Sequence, residues 1–485
     1  MYKSINKTYL SNLNIYKSTV LLLLILISNT SFSQNIFTLS DSNTNIIINK
    51  IVIAGNKKTK DKIIKRELMF HKNDTLTEKQ LNKLIIKSKD NLTNTSLFNY
   101  ITINTVNDDS THINIYILLE ERWYLFPYLI LEQADRNLSA YFHNKQWNRI
   151  NYGLMLVKYN FRGMGETVKL KFRFGYKQQF QIAYEIPYLG NSHKHGLYLE
   201  YNRFRQHEIH YMTAFDKQIF YRDDNSYVYK SHRAKVIYRF RNKYFIRNNF
   251  ILQYDYANVN DTIIGLNTNY FGNNANSNIL QYFTLGYSFK LDKRNYKYYP
   301  LTGYNIELSV FQKGLDILPD GMRGITELQS EAYYYKNFVN RWYGGMGGKG
   351  KVSSSFKQPY YVERALGYKT YLRAYEYYVI DGQSYISGRA FLKYAIIPIQ
   401  IHHIDFWGWE KFNKIHYSLF VNTFVDAGYV YDVMPNPSNK LPNSFLASAG
   451  VGVDLVAYYD MIFRLEYSVN RQKESGFFIH LNKAF

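Results

Sequence analysis

The chain has 485 residues, no cysteine and a formal charge of +22, with 49 tyrosines against 9 prolines. That length admits two or three domains, and the missing cysteines exclude disulfides, thiolate metal centres and cysteine nucleophiles. The basic residues are spread through strand-like runs rather than clustered. This argues against a nucleic-acid partner and for contact with anionic lipid or acidic clients. Tyrosine suits both strands and the membrane–water boundary, where one end of the ring is apolar and the other wet.

Residues 1–33 read as an export signal. Lys3, Lys7 and Lys17 precede the apolar run Val20–Ile27, and Ser31 and Ser33 supply the small residues of a cleavage site. The run is shorter than the roughly 20 residues a spanning helix needs, so a cleaved leader is expected rather than an anchor. A short linker, 34–45, follows. No later apolar run is long enough for a transmembrane helix, so an exported chain is either soluble or a β-barrel.

Residues 46–121 predict a compact α+β module. Ile46–Ala54 alternates as a strand, and Gly55–Thr59 forms a turn. Thr59 is placed to cap a helix that runs to about Leu68, with Ile63, Ile64 and Leu68 on one face. Thr77 opens a second helix with Glu78 and Gln80 in its first turn and a stripe at Leu81, Leu84, Ile85 and Leu92. Two strands, Tyr100–Val106 and His112–Leu119, close the unit around a loop at 107–110.

From Trp123 to Phe485 the pattern changes to short alternating runs. Val168-Lys169-Leu170-Lys171-Phe172-Arg173-Phe174 is the clearest, with every apolar side chain followed by a charge or preceded by one. Similar runs are Leu197–Tyr201, Lys235–Phe240, Phe250–Tyr256, Leu280–Phe289, Tyr304–Val310, Ile415–Phe424 and Met461–Val469. A soluble sandwich shows such alternation too. Cations on successive strands fit a water-filled barrel better, since a small soluble core does not hold them unpaired. The last strand, Gly476–Phe485, carries Phe477, Ile479 and Leu481 on one face and ends in Phe485.

Two segments stand out by chemistry. Gly367–Gly382 is a Gly- and Tyr-rich stretch holding Arg373, flanked by Leu372, Ala374 and Tyr375. About fifty residues later, Phe424, Asp426 and Gly428 put an acid in a strand-like run. A guanidinium and a carboxylate held together in a polar cavity can pin a loop through two parallel hydrogen bonds. Asp454 is a further candidate acid. Asp292, Arg294, Pro300 and Gly303 read as a strand end, a tight turn and a new strand.

Taken together, these motifs resemble those of the BamA/TamA-like outer-membrane assembly factors and their secretion-pore relatives. The Leu372-Arg373-Ala374-Tyr375 segment matches that family's lumen-loop motif except that Ala374 replaces a glycine. The Phe424, Asp426, Gly428 spacing matches its late-strand motif, and the Asp292–Gly303 turn its hairpin. Residues 46–121 resemble a polypeptide-transport-associated (POTRA) domain, carrying its Gly55-Asn56 turn and its Leu97-Phe98 segment. The terminal aromatic resembles the signal by which outer-membrane barrels are themselves inserted.

The resemblance implies a periplasmic POTRA domain followed by a transmembrane antiparallel β-barrel of sixteen strands in the outer membrane of a Gram-negative-type bacterium. It implies that Arg373 enters the lumen and pairs with Asp426, and that unfolded polypeptides add as a strand to the module edge at Ile101, Ile103 and Val106. The partners implied are membrane lipid, polypeptide clients and accessory lipoproteins. The activity is insertion or translocation of polypeptides without enzymatic chemistry. A porin-like channel and a soluble exported β-sandwich are the alternatives.

Three other constellations carry little. Gly345–Lys351 fits a phosphate-loop spacing, but Val352 stands where Ser or Thr must reach Mg²⁺, so a glycine-rich strand is expected. His402, His403, Asp405 and Glu410 suggest a metal, but adjacent strand residues face opposite sides, and Trp407 and Trp409 look interfacial. His207, Glu208 and His210 lack a zinc-helix spacing. No cofactor and no metal are expected.

Overall fold

The computed structural model describes residues 45–133, 150–190, 192–272, 277–318, 321–354, 357–403 and 414–482. The export signal, Asp405, Glu410, Trp407, Trp409 and Phe485 lie outside the described residues.

The first unit runs β1 (Asn45–Ala54), α1 (Asp61–Glu67), β2 (Thr75–Thr77), α2 (Glu78–Asn94), β3 (Phe98–Asn107) and β4 (His112–Glu121). The sheet order is β2-β1-β4-β3, with β1 parallel to β4 and Ile51 opposite Ile115. Ile48, Ile115, Ile117, Ile63, Ile64, Leu81 and Leu92 form its core, each at most 2% exposed. Thr77 opens α2 as expected and forms a capping box: Gln80 N donates to its hydroxyl at 3.3 Å, and Thr77 N donates to Gln80 Oε1 at 3.0 Å.

The expected cap at Thr59 is corrected. The first helix starts at Asp61 after Lys60, and the Thr59 hydroxyl donates instead to Glu121 Oε1 at 2.6 Å. That carboxylate also accepts from the Thr59 and Lys58 amides. The hydroxyl's accepting side is taken by Asn160 Nδ2 at 2.9 Å, and the cap position itself falls on Lys60.

The second unit is a sixteen-stranded antiparallel sheet. Its strands are β5 (Leu125–Gln133), β6 (Ile150–Lys158), β7 (Thr167–Gly175), β8 (Lys177–Leu189), β9 (His195–Gln206), β12 (Tyr229–Lys243), β13 (Ile246–Val259) and β14 (Ile279–Asp292). It continues with β15 (Gly303–Lys313), β16 (Ile325–Val339), β17 (Trp342–Ser353), β18 (Ser384–His403), β19 (Lys414–Tyr431), β20 (Phe445–Ala457), β21 (Met461–Asn470) and β22 (Ser475–Asn482). A separate hairpin, β10 (Glu208–Ala214) and β11 (Lys217–Arg222), stands above β9 and β12.

The faces are inverted relative to a soluble sandwich. On β20, Val451 and Val453 are exposed while Asp454 between Val453 and Leu455 is 0% exposed. On β22, Phe477, Ile479 and Leu481 point outward, with Ile479 80% exposed. Apolar side chains outside and charges inside are what a lipid-embedded barrel requires. The expected segments from Val168–Phe174 to Met461–Val469 fall within these strands, the expected last strand lies in β22 as far as Asn482, and Gly345–Lys351 lies in β17 paired on both sides.

Strands β5 and β22 stand at the two ends of the strand order, and no ladder joins them among the described residues. Pro127 sits within β5. Proline cannot donate to a ladder and is confined to edge strands, which fits β5 as one lip of a seam.

Both ends of the barrel are covered. On the far side, the Asp216 carboxylate at the β10–β11 tip accepts from Lys440 N and Leu441 N, and its carbonyl accepts from Val379 N at 2.9 Å. An aromatic cluster including Tyr270, Phe271 and Tyr360 packs beneath this hairpin. On the near side, the α+β module is fixed to four barrel turns. Gly163 O accepts from Lys60 N at 3.0 Å. Glu67 receives both Nη atoms of Arg241 at 2.7 Å. Asn94 Oδ1 accepts from Lys297 N at 2.9 Å. Arg122, just before β5, donates to both carboxylate oxygens of Asp460, just before β21, at 2.5 and 3.1 Å.

Candidate functional site

The segment after β17 turns back into the lumen. The mutual hydrogen bonds of Leu366 and Ile380, 3.1 and 2.9 Å, pinch it into a closed loop. Gly367 has φ +87°, and a Cβ there would lie 2.2 Å from Tyr378 O, so only glycine makes this turn.

At the loop tip, Arg373 donates from Nη2 to Asp426 Oδ1 at 2.6 Å and from Nε to Oδ2 at 3.1 Å. Its Nη1 reaches Glu466 Oε1 at 3.2 Å, and its guanidinium lies 3.4 Å from the centre of the Phe424 ring. Arg389 on β18 approaches Asp426 from the other side, with Nη2 2.9 Å from Oδ2. One carboxylate on β19 thus holds a loop arginine and a wall arginine together. The side chains of Arg373, Asp426 and Glu466 are 6%, 2% and 1% exposed. At that burial, bidentate geometry and complete pairing decide whether the charges hold the loop or weaken it.

The flanking motif residues seat this tip. Leu372 packs against Gly428, where an added Cβ would meet Leu372 Cδ1 at 2.7 Å. Tyr375 donates to Gln472 Oε1 at 2.7 Å. Ala374 takes φ +66° in place of the family glycine, a conformation costing an L-residue roughly 1–2 kcal/mol. Asn470 Nδ2 holds its carbonyl at 3.1 Å. Gly428→Val should therefore displace Leu372 and weaken the fold by about 1–3 kcal/mol, read as a lower urea midpoint in lipid vesicles.

The second acid on Arg373 is Glu466, not Asp454. Asp454 instead accepts from Arg464 Nε at 2.7 Å and Tyr299 Oη at 2.7 Å, several residues nearer the module. The Asp292–Arg294 pair, 2.6 Å apart, lies far from this site, in the near-side turn under Asn94. Gly303 there has φ +99°, and Pro300 stands between the two strands. On β3, the sheet edge, Ile101 faces the core and Ile103 packs on it, while Val106 is 51% exposed. His402 stacks on Tyr417, His207 bonds the Ser226 carbonyl, and neither joins a group of metal-ligating side chains among the described residues.

The family model of the Omp85 superfamily domain matches residues 160–476. The chain belongs to the Omp85 superfamily. A POTRA model, described as surface antigen variable number repeat, matches residues 46–122 of this Omp85 protein. Among solved structures, it resembles CdiB from Escherichia coli at 10% identity, with 90% of this chain and 75% of that chain covered and a TM-score of 0.52. BamA from Haemophilus ducreyi lacking POTRA domains 1–3 aligns at 16% identity over 90% of this chain and 83% of that chain, with a TM-score of 0.48. No curated protein matches significantly. The Omp85 protein is thus an outer-membrane β-barrel carrying one POTRA module.

Proposed function

We propose that this Omp85 protein receives unfolded polypeptides on the periplasmic side and passes them into or across the outer membrane. The observation that carries this reading is the pair of strand edges, on β5 and β22, that no ladder joins among the described residues, with apolar faces turned outward. A strand entering lipid must satisfy its backbone by pairing, and an edge in the wall offers that partner. The module supplies a second edge at β3, whose backbone can add a client strand with little sequence preference. Client folding is then the driving force, and no covalent step is needed.

The porin-like reading is disfavoured by what fills the barrel. The Arg373 loop occupies the lumen, and the module spans the near opening through its contacts with four turns. A porin keeps an open aqueous path.

A photoreactive residue at Asn104 or Val106, on the exposed half of β3, should trap unfolded outer-membrane or secreted polypeptides in cells. A second probe at Leu129, outward on β5 and 88% exposed, distinguishes the routes. Adducts at both positions support insertion through the wall. Adducts at β3 alone, with others in the lumen, support export. Lipid-only adducts at both positions would rule out client handling.

A further inference from the structure

We infer a divalent-cation site in the lumen, built from Glu376, Glu466 and His480, which ties the Arg373 loop to the last strand. The three residues come from three elements: the loop, β21 and β22. Their donor atoms all lie within 4.8 Å of one another. His480 Nε2 is 3.0 Å from Glu376 Oε1 and 3.6 Å from Glu466 Oε2. Donors sharing one tetrahedral ion at about 2.0–2.1 Å stand about 3.3–3.4 Å apart, so these separations bracket the required value.

The chemistry of each donor supports a ligand rather than a closed network. Glu376 Oε1 and His480 Nε2 are buried atoms that face each other at 3.0 Å without the alignment of a hydrogen bond, and neither makes one elsewhere. Orphaned buried acceptors are rare and call for an occupant. Glu466 divides its oxygens: Oε1 accepts from Arg373, while Oε2 faces His480. The imidazole is oriented by Tyr371, which stacks on it at 5.7 Å and 15°. Two carboxylates and one imidazole suit Zn²⁺ or Mn²⁺, with a fourth position left for water. No spacing in the sequence announces the set, because its members are 90 and 14 positions apart and meet only through barrel pairing.

The consequence is local. β22 is one lip of the seam, and the loop tip is already fixed to β19 by Asp426. A bound ion would join the two, so the loop would steady a strand that is laddered on one side only among the described residues. This inference does not depend on what the protein transports.

The test uses the full chain without a histidine tag, in detergent micelles, titrated with Zn²⁺ and, separately, Mn²⁺ by calorimetry. One equivalent of at least one metal should bind and raise the melting temperature. Glu376→Gln and His480→Gln should each weaken binding by more than the roughly ten-fold that loss of an outer partner costs. Both replacements keep side-chain volume, and heat-modifiable migration on a gel reports whether each variant still forms the barrel. Two results would overturn the site: no saturable binding of either metal, or binding unchanged in both variants.

Discussion

Arg373→Ala is expected to cost about 3–5 kcal/mol, the usual penalty for removing one partner of a buried, fully paired charge group. It leaves Glu466 with Arg464 and His480 and leaves Asp426 with Arg389. The loop tip should leave the wall, which single-channel recording would show as frequent opening. Asp426→Ala removes the Arg373–Asp426 bonds from the other end, leaves Arg373 held by Glu466 alone and takes the carboxylate away from Arg389. If the pair acts as a unit, the double variant loses less than the sum, with a coupling above about 1 kcal/mol. Purely additive losses in urea unfolding would mean that the two side chains are merely neighbours. Arg373→Lys should recover little, because an ammonium cannot serve Asp426 and Glu466 through a planar fork.

Glu67→Gln should release the module from the barrel. Burial pushes the Glu67 carboxyl up, but the Arg241 guanidinium outweighs it and holds the acid below its ordinary value. A depressed carboxylate contributes stability that is fully present above its unfolded pKa and is lost as pH falls through the folded one. Docking should therefore hold at neutral pH and weaken only below the ordinary glutamate range, as the pH falls towards the depressed folded pKa. In Glu67→Gln the acid transition should vanish and the module should be loose throughout. Lys87→Cys and Lys243→Cys, on the two sides of the cleft between module and barrel, provide label sites in a chain with no other cysteine. A distance between the labels at pH 7 that is the same with Glu67 and with Glu67→Gln would contradict the role given to Glu67.

The parts of the fold legible in the sequence were those with short-range signatures. Thr77 and Gln80 lie three residues apart, so their reciprocal bonds could be foreseen from spacing. The alternation Val168–Phe174 states its two faces outright. Arg373 and Asp426 were found through the family motifs, and the structure brings them together. What escaped notice was set by pairing across strands. Arg389 and Glu466 complete the site only because β18 and β21 flank β19 and β20 in register. Thr59 looked like a cap because nothing local reveals that Glu121 returns beside it along β4. The hairpin β10–β11 and its aromatic bed hid in a region whose tyrosines read like any other strand.

The Arg122–Asp460 contact joins positions 338 residues apart. Ring closure over such a span carries a large entropic toll before any bond repays it, and distant contacts form slowly. Fourteen of the sixteen strands lie between its two anchors, so the clasp can shut only when nearly the whole wall has been laid down. The module's seat at Asp460 is accordingly the last to become available during biogenesis. A half-built cylinder would carry its amino-terminal domain already hooked at Gly163 and Arg241 but still swinging at its other end.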